Sequence, residues 1–255
     1  MKVVICYKLV PDVSGIKVKS DRTLDLSACE WSISQYDLNA TEAANRLVEA
    51  NEGSTLIALT FGGDITENSK LRKAILARGP HELTVVKNDD AGSADTFATA
   101  KILAEAIKKL GDVDVVVFGE GSGDMYVQQT GNMVGAILGR NTVNSVNSLS
   151  MSGEKLLVGR LVEEYTENLE VELPAVISVT SDICPPRIAA MRAILAAGKK
   201  PCQVWTCDDI GTAIENKSCT DSVLAPVQTD RKKIVRNADD EDHINAVAAV
   251  LRSLM

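Results

Sequence analysis

No cysteine pair with C-x-x-C spacing occurs in this chain, and its two histidines, His81 and His243, stand far from each other and from any soft ligand. Six cysteines so arranged do not suggest a zinc or iron–sulfur centre, and reduced thiols are the expectation. Aromatic residues make up only 4% of the chain, which leaves few platforms for stacking bases, and a net charge of −8 argues against a nucleic-acid partner. No apolar run reaches the roughly 18 residues of a membrane span, and the opening Met1–Lys8 is too short for a signal sequence. A soluble, cytoplasmic protein with no membrane insertion is therefore expected. No Ser/Cys–His arrangement or activated nucleophile stands out either, so the chain does not read as an enzyme.

What is present is 255 residues with 45% hydrophobic content, enough to bury a sizeable core. The focal stretch is Val113 to Gly139. Val115 to Phe118 reads as a buried strand, Gly119, Gly121 and Gly123 as a loop, and about Tyr126 to Leu138 as the following helix. In open α/β sheets ligands bind beyond the carboxyl ends of strands, and a helix N-terminus there offers free N–H groups to an anion. Gln129, Thr130 and Gly131 are placed for that role. Gly131, Gly135 and Gly139 share one helix face. Close helix–sheet packing is the stronger expectation for the last two, and for Gly131 it is balanced against approach of a ligand. Asp124 reads either as a helix cap or as an acceptor for a ligand. The loop is neither a Walker P-loop, since no Lys-Ser/Thr pair follows, nor G-x-G-x-x-G.

Elsewhere, strands are expected at Val3–Tyr7, Leu56–Phe61, Leu83–Val86 and Ala175–Thr180. Helices are expected at Leu38–Ala50, Asn68–Ala77, Ala94–Leu110 and Ala189–Ala197. A small hairpin lies at Ile16–Leu26. Val143–Met151, Lys155–Leu161 and Leu169–Leu173 read as strands joined without helices. The alternation predicts a three-layer α/β/α fold with a mainly parallel sheet and an antiparallel flank. After Pro201 it stops, and an extended arm leads to a last amphipathic helix from about Glu241 to Leu254.

Three patches together resemble the beta subunit of the electron transfer flavoproteins, over nearly the whole length. They are the focal loop with Asp124 and Gln129-Thr130-Gly131; Val158–Ser178, with a basic residue, an acidic cluster and a proline before a buried strand; and Pro186-Arg187 with the short helix and Lys199-Lys200. Tyr165 stands where the family favours a small or acidic residue, and Ser178 where Thr, Ala or Cys is usual. The resemblance implies a heterodimer whose alpha subunit holds most of the redox FAD, while this chain holds AMP or, in bifurcating members, a second FAD. Carried over by position, the nucleotide contacts would be Cys6, Ser34, Gln35, Tyr36, Asp37, Phe61, Gly62, Gly119, Gly121, Gly123, Asp124, Val127, Gln129, Thr130, Gly131, Asn132 and Met133. Asp37 is similar to the bifurcating pattern. Ser34-Gln35 replaces an expected Asn-Pro and points to a divergent branch, like those of bacterial acyl-CoA or carnitine metabolism. Residues 1–200 would form the nucleotide-binding domain, and 201–255 an arm and helix packing on the alpha subunit.

The same resemblance implies that Pro186, Arg187 and Met191 dock onto an acyl-CoA or related dehydrogenase. From periodicity alone, Ile188, Met191, Ile194 and Leu195 read instead as a core stripe, while Lys199 and Lys200 read as solvated helix-end charges. Glu163, Glu164 and Glu167 are expected to be solvated, with Arg187 pairing with them or with the alpha subunit. His81 reads as a turn residue. The rival functional readings are a stand-alone adenine-nucleotide sensor and an enzyme that adenylates a substrate; the latter lacks a Ser/Gly loop after the first strand.

Overall fold

The computed structural model describes residues 1–227 and 242–254. The sheet is built from β1 (Lys2–Cys6), β6 (Thr55–Gly62), β7 (Glu82–Lys87), β8 (Val115–Gly119), β9 (Asn141–Ser152), β10 (Lys155–Val162), β11 (Tyr165–Val171), β12 (Ala175–Val179) and β13 (Cys202–Thr206). Their order is β11-β10-β9-β12-β8-β1-β6-β7-β13. All neighbours from β9 to β13 run parallel, and β10 and β11 form an antiparallel flank. Two further two-stranded pairs occur: β2 (Leu9–Pro11) with β5 (Trp31–Ile33), and β3 (Lys17–Val18) with β4 (Leu24–Asp25).

Valine- and isoleucine-rich strands such as Val115–Phe118 are buried on both faces because helices cover both. On one side, α1 (Gln35–Glu49), α2 (Ser69–Leu76) and α5 (Met191–Ala197) pack Ala40, Ala44, Leu47, Leu71, Ile75 and Ala197 onto Val3, Ile5 and Ile177. On the other, α3 (Thr96–Leu110) and α4 (Thr130–Leu138) pack Ala100, Leu103, Ile107 and Val134 onto Val4, Val116 and Val176. This is the expected three-layer α/β/α architecture. Asn68 and Asp95 cap α2 and α3 with their side chains.

The chain divides into two units, residues 1–17 with 25–222 and residues 18–24 with 223–255. In the second, Ala225 N–H donates to Arg22 O at 2.9 Å, and α6 (His243–Leu254) exposes Ile244, Val247, Val250 and Leu251. Of the arm expected from the sequence, 228–241 and Met255 lie outside the described residues.

Three expectations need correction. Cys202–Thr206, read as irregular, is the parallel edge strand β13 on β7; its mostly exposed residues carry no buried-strand signature. The third flank strand is Tyr165–Val171 rather than Leu169–Leu173, because β10 pairs with it from Leu156↔Val171 to Val162↔Tyr165. Helix α4 begins at Thr130, not Tyr126, since Tyr126 and Gln128 have φ of 46° and 57°, outside any right-handed helix.

Candidate functional site

From β1 the chain builds outward to β6 and β7, then returns to place β8 on the other side of β1. The gap beyond the carboxyl ends of β1 and β8 is thus the point where the strand order reverses, where open α/β sheets bind ligands. The start of α1 closes one side of it. Ser34 N–H donates to Lys8 O at 2.9 Å, and Lys8 N–H donates to Asp37 Oδ2 at 2.8 Å. Gly119 N–H also bonds Asp37, so one carboxyl ties α1 to both strand ends. A Cβ on Gly119 would lie 2.8 Å from both Asp37 Oδ1 and the Tyr36 carbonyl carbon, which accounts for a glycine at the end of β8.

The loop from Glu120 to Gln129 covers this junction. Asp124 accepts from Lys8 Nζ at 2.6 Å, from Ser122 Oγ at 2.6 Å and from Met125 N–H at 2.8 Å. It therefore folds the loop and latches it to β1, and it does not cap α4. The Tyr126 ring lies against Gly121, where a Cβ would strike it, and its centroid is 5.0 Å from that of Tyr36. Met125, Tyr126 and Val127 remain exposed, as does Gly123.

Electrostatics follow from burial. Asp37 is pushed up to about 7 by burial, against the opposing pull of the Lys8 and Gly119 N–H groups. Cys6 is raised by burial and then by Asp37, so it stays a thiol and serves as a small apolar residue. Asp124 is held below its usual range because the bonds from Lys8 and Ser122 outweigh its burial.

At α4 the N-cap Gln129 makes no side-chain cap bond, and an uncapped helix start is the kind of place that can offer N–H groups to an anion. Asn132 Nδ2 reaches only Gln128 O, at 3.5 Å. Met133 faces the α3-side core, as does Phe61 at the end of β6 beside Gly62. Gly131 resolves to packing: a Cβ there would strike Ser178 Oγ and sit 3.3 Å from the Phe118 ring. Gly135 likewise packs on Thr142. Gly139 corrects the packing expectation, since it has φ of 62° with nothing within 4 Å and ends the helix in the left-handed region.

Two buried hydroxyls, Ser34 Oγ just before α1 and Thr60 Oγ1 in β6, have no hydrogen-bond partner among the described residues. A buried hydroxyl without a partner is costly, so each marks a polar group that the fold leaves unsatisfied. Gln35 and Tyr36 open α1 directly after Ser34. A concavity of about 450 Å³ lies elsewhere, beyond β7 and β13, lined by Asn88, Asp90, Cys207 and Thr212 among others. No group of three or more metal-ligating side chains occurs among the described residues, and no described helix is long and apolar enough to cross a membrane.

The segment Pro186–Ala197 lies on the outside of α1 and α2. The core-stripe expectation for Ile188, Met191, Ile194 and Leu195 is overturned, because all four are exposed and α5 buries Ala197 instead. Arg187 does not pair with the flank carboxylates; it binds Glu42 and Glu49 of α1. Glu163 and Glu164 are exposed, and Glu167 lies 3.6 Å from Arg160 across β10 and β11. His81 Nδ1 accepts from Leu56 N–H at 3.0 Å, a structural bridge at a strand start.

Sequence reading missed Lys8, Asn39 and Glu42, and it took Lys200 for a solvated charge, whereas Lys200 Nζ is held by the carbonyls of Leu76, Gly79 and Pro80. Only Glu42 with Arg46 carried a signal, the helical i,i+4 spacing. Residues 23–210 match the family model described as electron transfer flavoprotein domain.

Proposed function

The chain belongs to the electron transfer flavoprotein domain family, and from that premise we propose that it is the beta-type subunit of a heterodimeric carrier. It holds AMP or a second FAD at the β1/β8 junction, beside an alpha subunit that holds most of the redox FAD. It passes electrons between acyl-CoA-type dehydrogenases and an acceptor, and itself breaks no substrate bond. The observation that carries the reading is the meeting of Asp37, Lys8 and Asp124 with the uncapped start of α4 at the point of strand reversal. Anionic phosphate suits the α4 N-terminus and Lys8, and the orphaned Ser34 hydroxyl offers a further bond.

Entry of the nucleotide requires the Tyr126 ring to leave Gly121 and Tyr36. Support for the beta type comes from the Val158–Ser178 pattern, whose basic and acidic residues meet as Arg160 and Glu167. The apolar face of α6 (Ile244, Val247, Leu251) suits packing on the alpha subunit. Pro186, Arg187 and Met191 form the dehydrogenase-docking segment, with Met191 the adaptable apolar contact.

Co-expression with an alpha subunit tests this reading. A stable yellow heterodimer that accepts electrons from an acyl-CoA dehydrogenase is expected. A monomer that binds ATP and recruits no flavin would favour the nucleotide-sensor reading instead.

A further inference from the structure

Between Pro186 and Lys200 the chain carries an apolar surface with little burial of its own: Ile188 is 94% exposed, Met191 73% and Leu195 71%. Exposed cations surround it, Arg192 and Lys199 within the segment and Lys73 of α2, whose Cε lies 3.5 Å from where a Gly198 Cβ would be. In a chain of net charge −8 this is a local reversal of sign. A helix of seven residues whose N-cap Ala190 makes no side-chain bond cannot hold its own shape.

What holds it lies at its two ends. At the first, Arg187 donates from Nε to Glu42 Oε2 at 2.6 Å and from Nη1 to Glu49 Oε1 at 2.7 Å, so one guanidinium grips two turns of α1. Arg46 Nε holds Glu42 from the other side at 2.9 Å. Just upstream, Asn39 Nδ2 donates to Ser181 O and Cys184 O, each at 2.8 Å. At the second end, Lys200 Nζ donates to Leu76 O at 2.7 Å, Pro80 O at 2.6 Å and Gly79 O at 3.3 Å. These carbonyls follow the end of α2, where a cation is favoured.

We propose that Arg187 and Lys200 are positioning residues, two cationic staples that fix the cation-rimmed apolar patch on α1 and α2 in the attitude in which it docks. The occupant is an apolar pocket with an acidic rim on the dehydrogenase. The inference rests on the docking reading above and deepens it: a patch ordered beforehand avoids the entropy cost of ordering on contact, and the rim steers the encounter.

The test uses the heterodimer carrying Arg187→Gln, Arg187→Lys or Lys200→Gln. Amide hydrogen exchange over residues 188–199 is expected to quicken about tenfold in each Gln variant, with α3 and the sheet unchanged. With a purified acyl-CoA dehydrogenase as electron donor, KM for the dehydrogenase should rise about fivefold while kcat and bound nucleotide stay level. Arg187→Lys, which keeps the charge and loses the fork, should fall between. Unchanged exchange in both Gln variants overturns the staples, and faster exchange with unchanged KM overturns their role in docking. Should Arg187→Gln fail to fold, Lys200→Gln decides by the same two readings. Absence of electron transfer in the wild-type heterodimer defeats the docking reading, and exchange still decides whether the staples hold the segment.

Discussion

Lys8 Nζ lies 2.6 Å from Asp124 Oδ2, joining the residue that leaves β1 to the loop that leaves β8, 116 positions along the chain. The pair crosses the point of strand reversal and closes the loop over the start of α1. Both side chains are partly exposed, so the link is worth at most about 1 kcal/mol to the fold. Its value is in holding the loop. Lys8→Met should leave the thermal midpoint nearly unchanged and speed nucleotide dissociation from the heterodimer about tenfold. Equal dissociation rates would separate the latch from the site.

Asp37 supplies a pH signature. Its folded pKa of about 7 stands above the roughly 3.9 of an unfolded aspartate, so the folded state holds the proton between them. Its contribution to stability is complete below about pH 4 and is lost as pH rises to about 7. Asp37→Asn stays neutral throughout. Its urea midpoint should therefore gain on that of the wild type between about pH 4 and 7, by an amount equivalent to about 1–3 kcal/mol. A gap that stays constant with pH would show that the buried group is charged across the range.

Asp95 acts in the opposite sense. It accepts from Ala98, Lys217 and Ser218 N–H groups, which together outweigh its desolvation and hold it at about 2. The contribution is present above about pH 4 and disappears as pH falls through 2. Asp95→Ala should cost about 1–2 kcal/mol at pH 7, as for a lost helix cap. That cost should shrink towards pH 2. A gap unchanged by acid would contradict the hydrogen-bonded carboxylate.

Gly131 and Gly139 separate two uses of glycine in one helix. Gly131→Ala drives a methyl into Ser178 Oγ and should lower stability by about 1–3 kcal/mol, with partial recovery in Gly131→Ala/Ser178→Ala. Gly139→Ala meets no neighbour and carries only left-handed strain, about 1 kcal/mol, with no recovery from Ser178→Ala. Urea titrations of the four proteins decide it; recovery in neither double variant would remove the packing role of Gly131.

The layered architecture was legible in the sequence because the helices and parallel strands each carry a strong period. Val115–Phe118 and Thr96–Leu110 are unmistakable for that reason. The edge strand Cys202–Thr206 was not, since one face and one edge meet solvent and no apolar run marks it. The start of α4 was misjudged because Tyr126 and Val127 fit a helical apolar pattern while Tyr126 and Gln128 take left-handed φ. At the site, Asp37 and Asp124 drew notice by position. Lys8 did not, because its meaning arises only when β8 folds beside β1. The same holds for Arg187, whose carboxylate partners lie 138 and 145 residues away.

The proposed nucleotide beside the β1/β8 junction is tested most directly by denaturing the purified heterodimer and identifying every nucleotide released per dimer. One FAD together with one AMP, or two FAD, is predicted, and the nucleotide assigned to this chain should be depleted in the Lys8→Met protein after dialysis. A single FAD with no second adenine nucleotide, from wild type purified without dialysis, would contradict the proposed site.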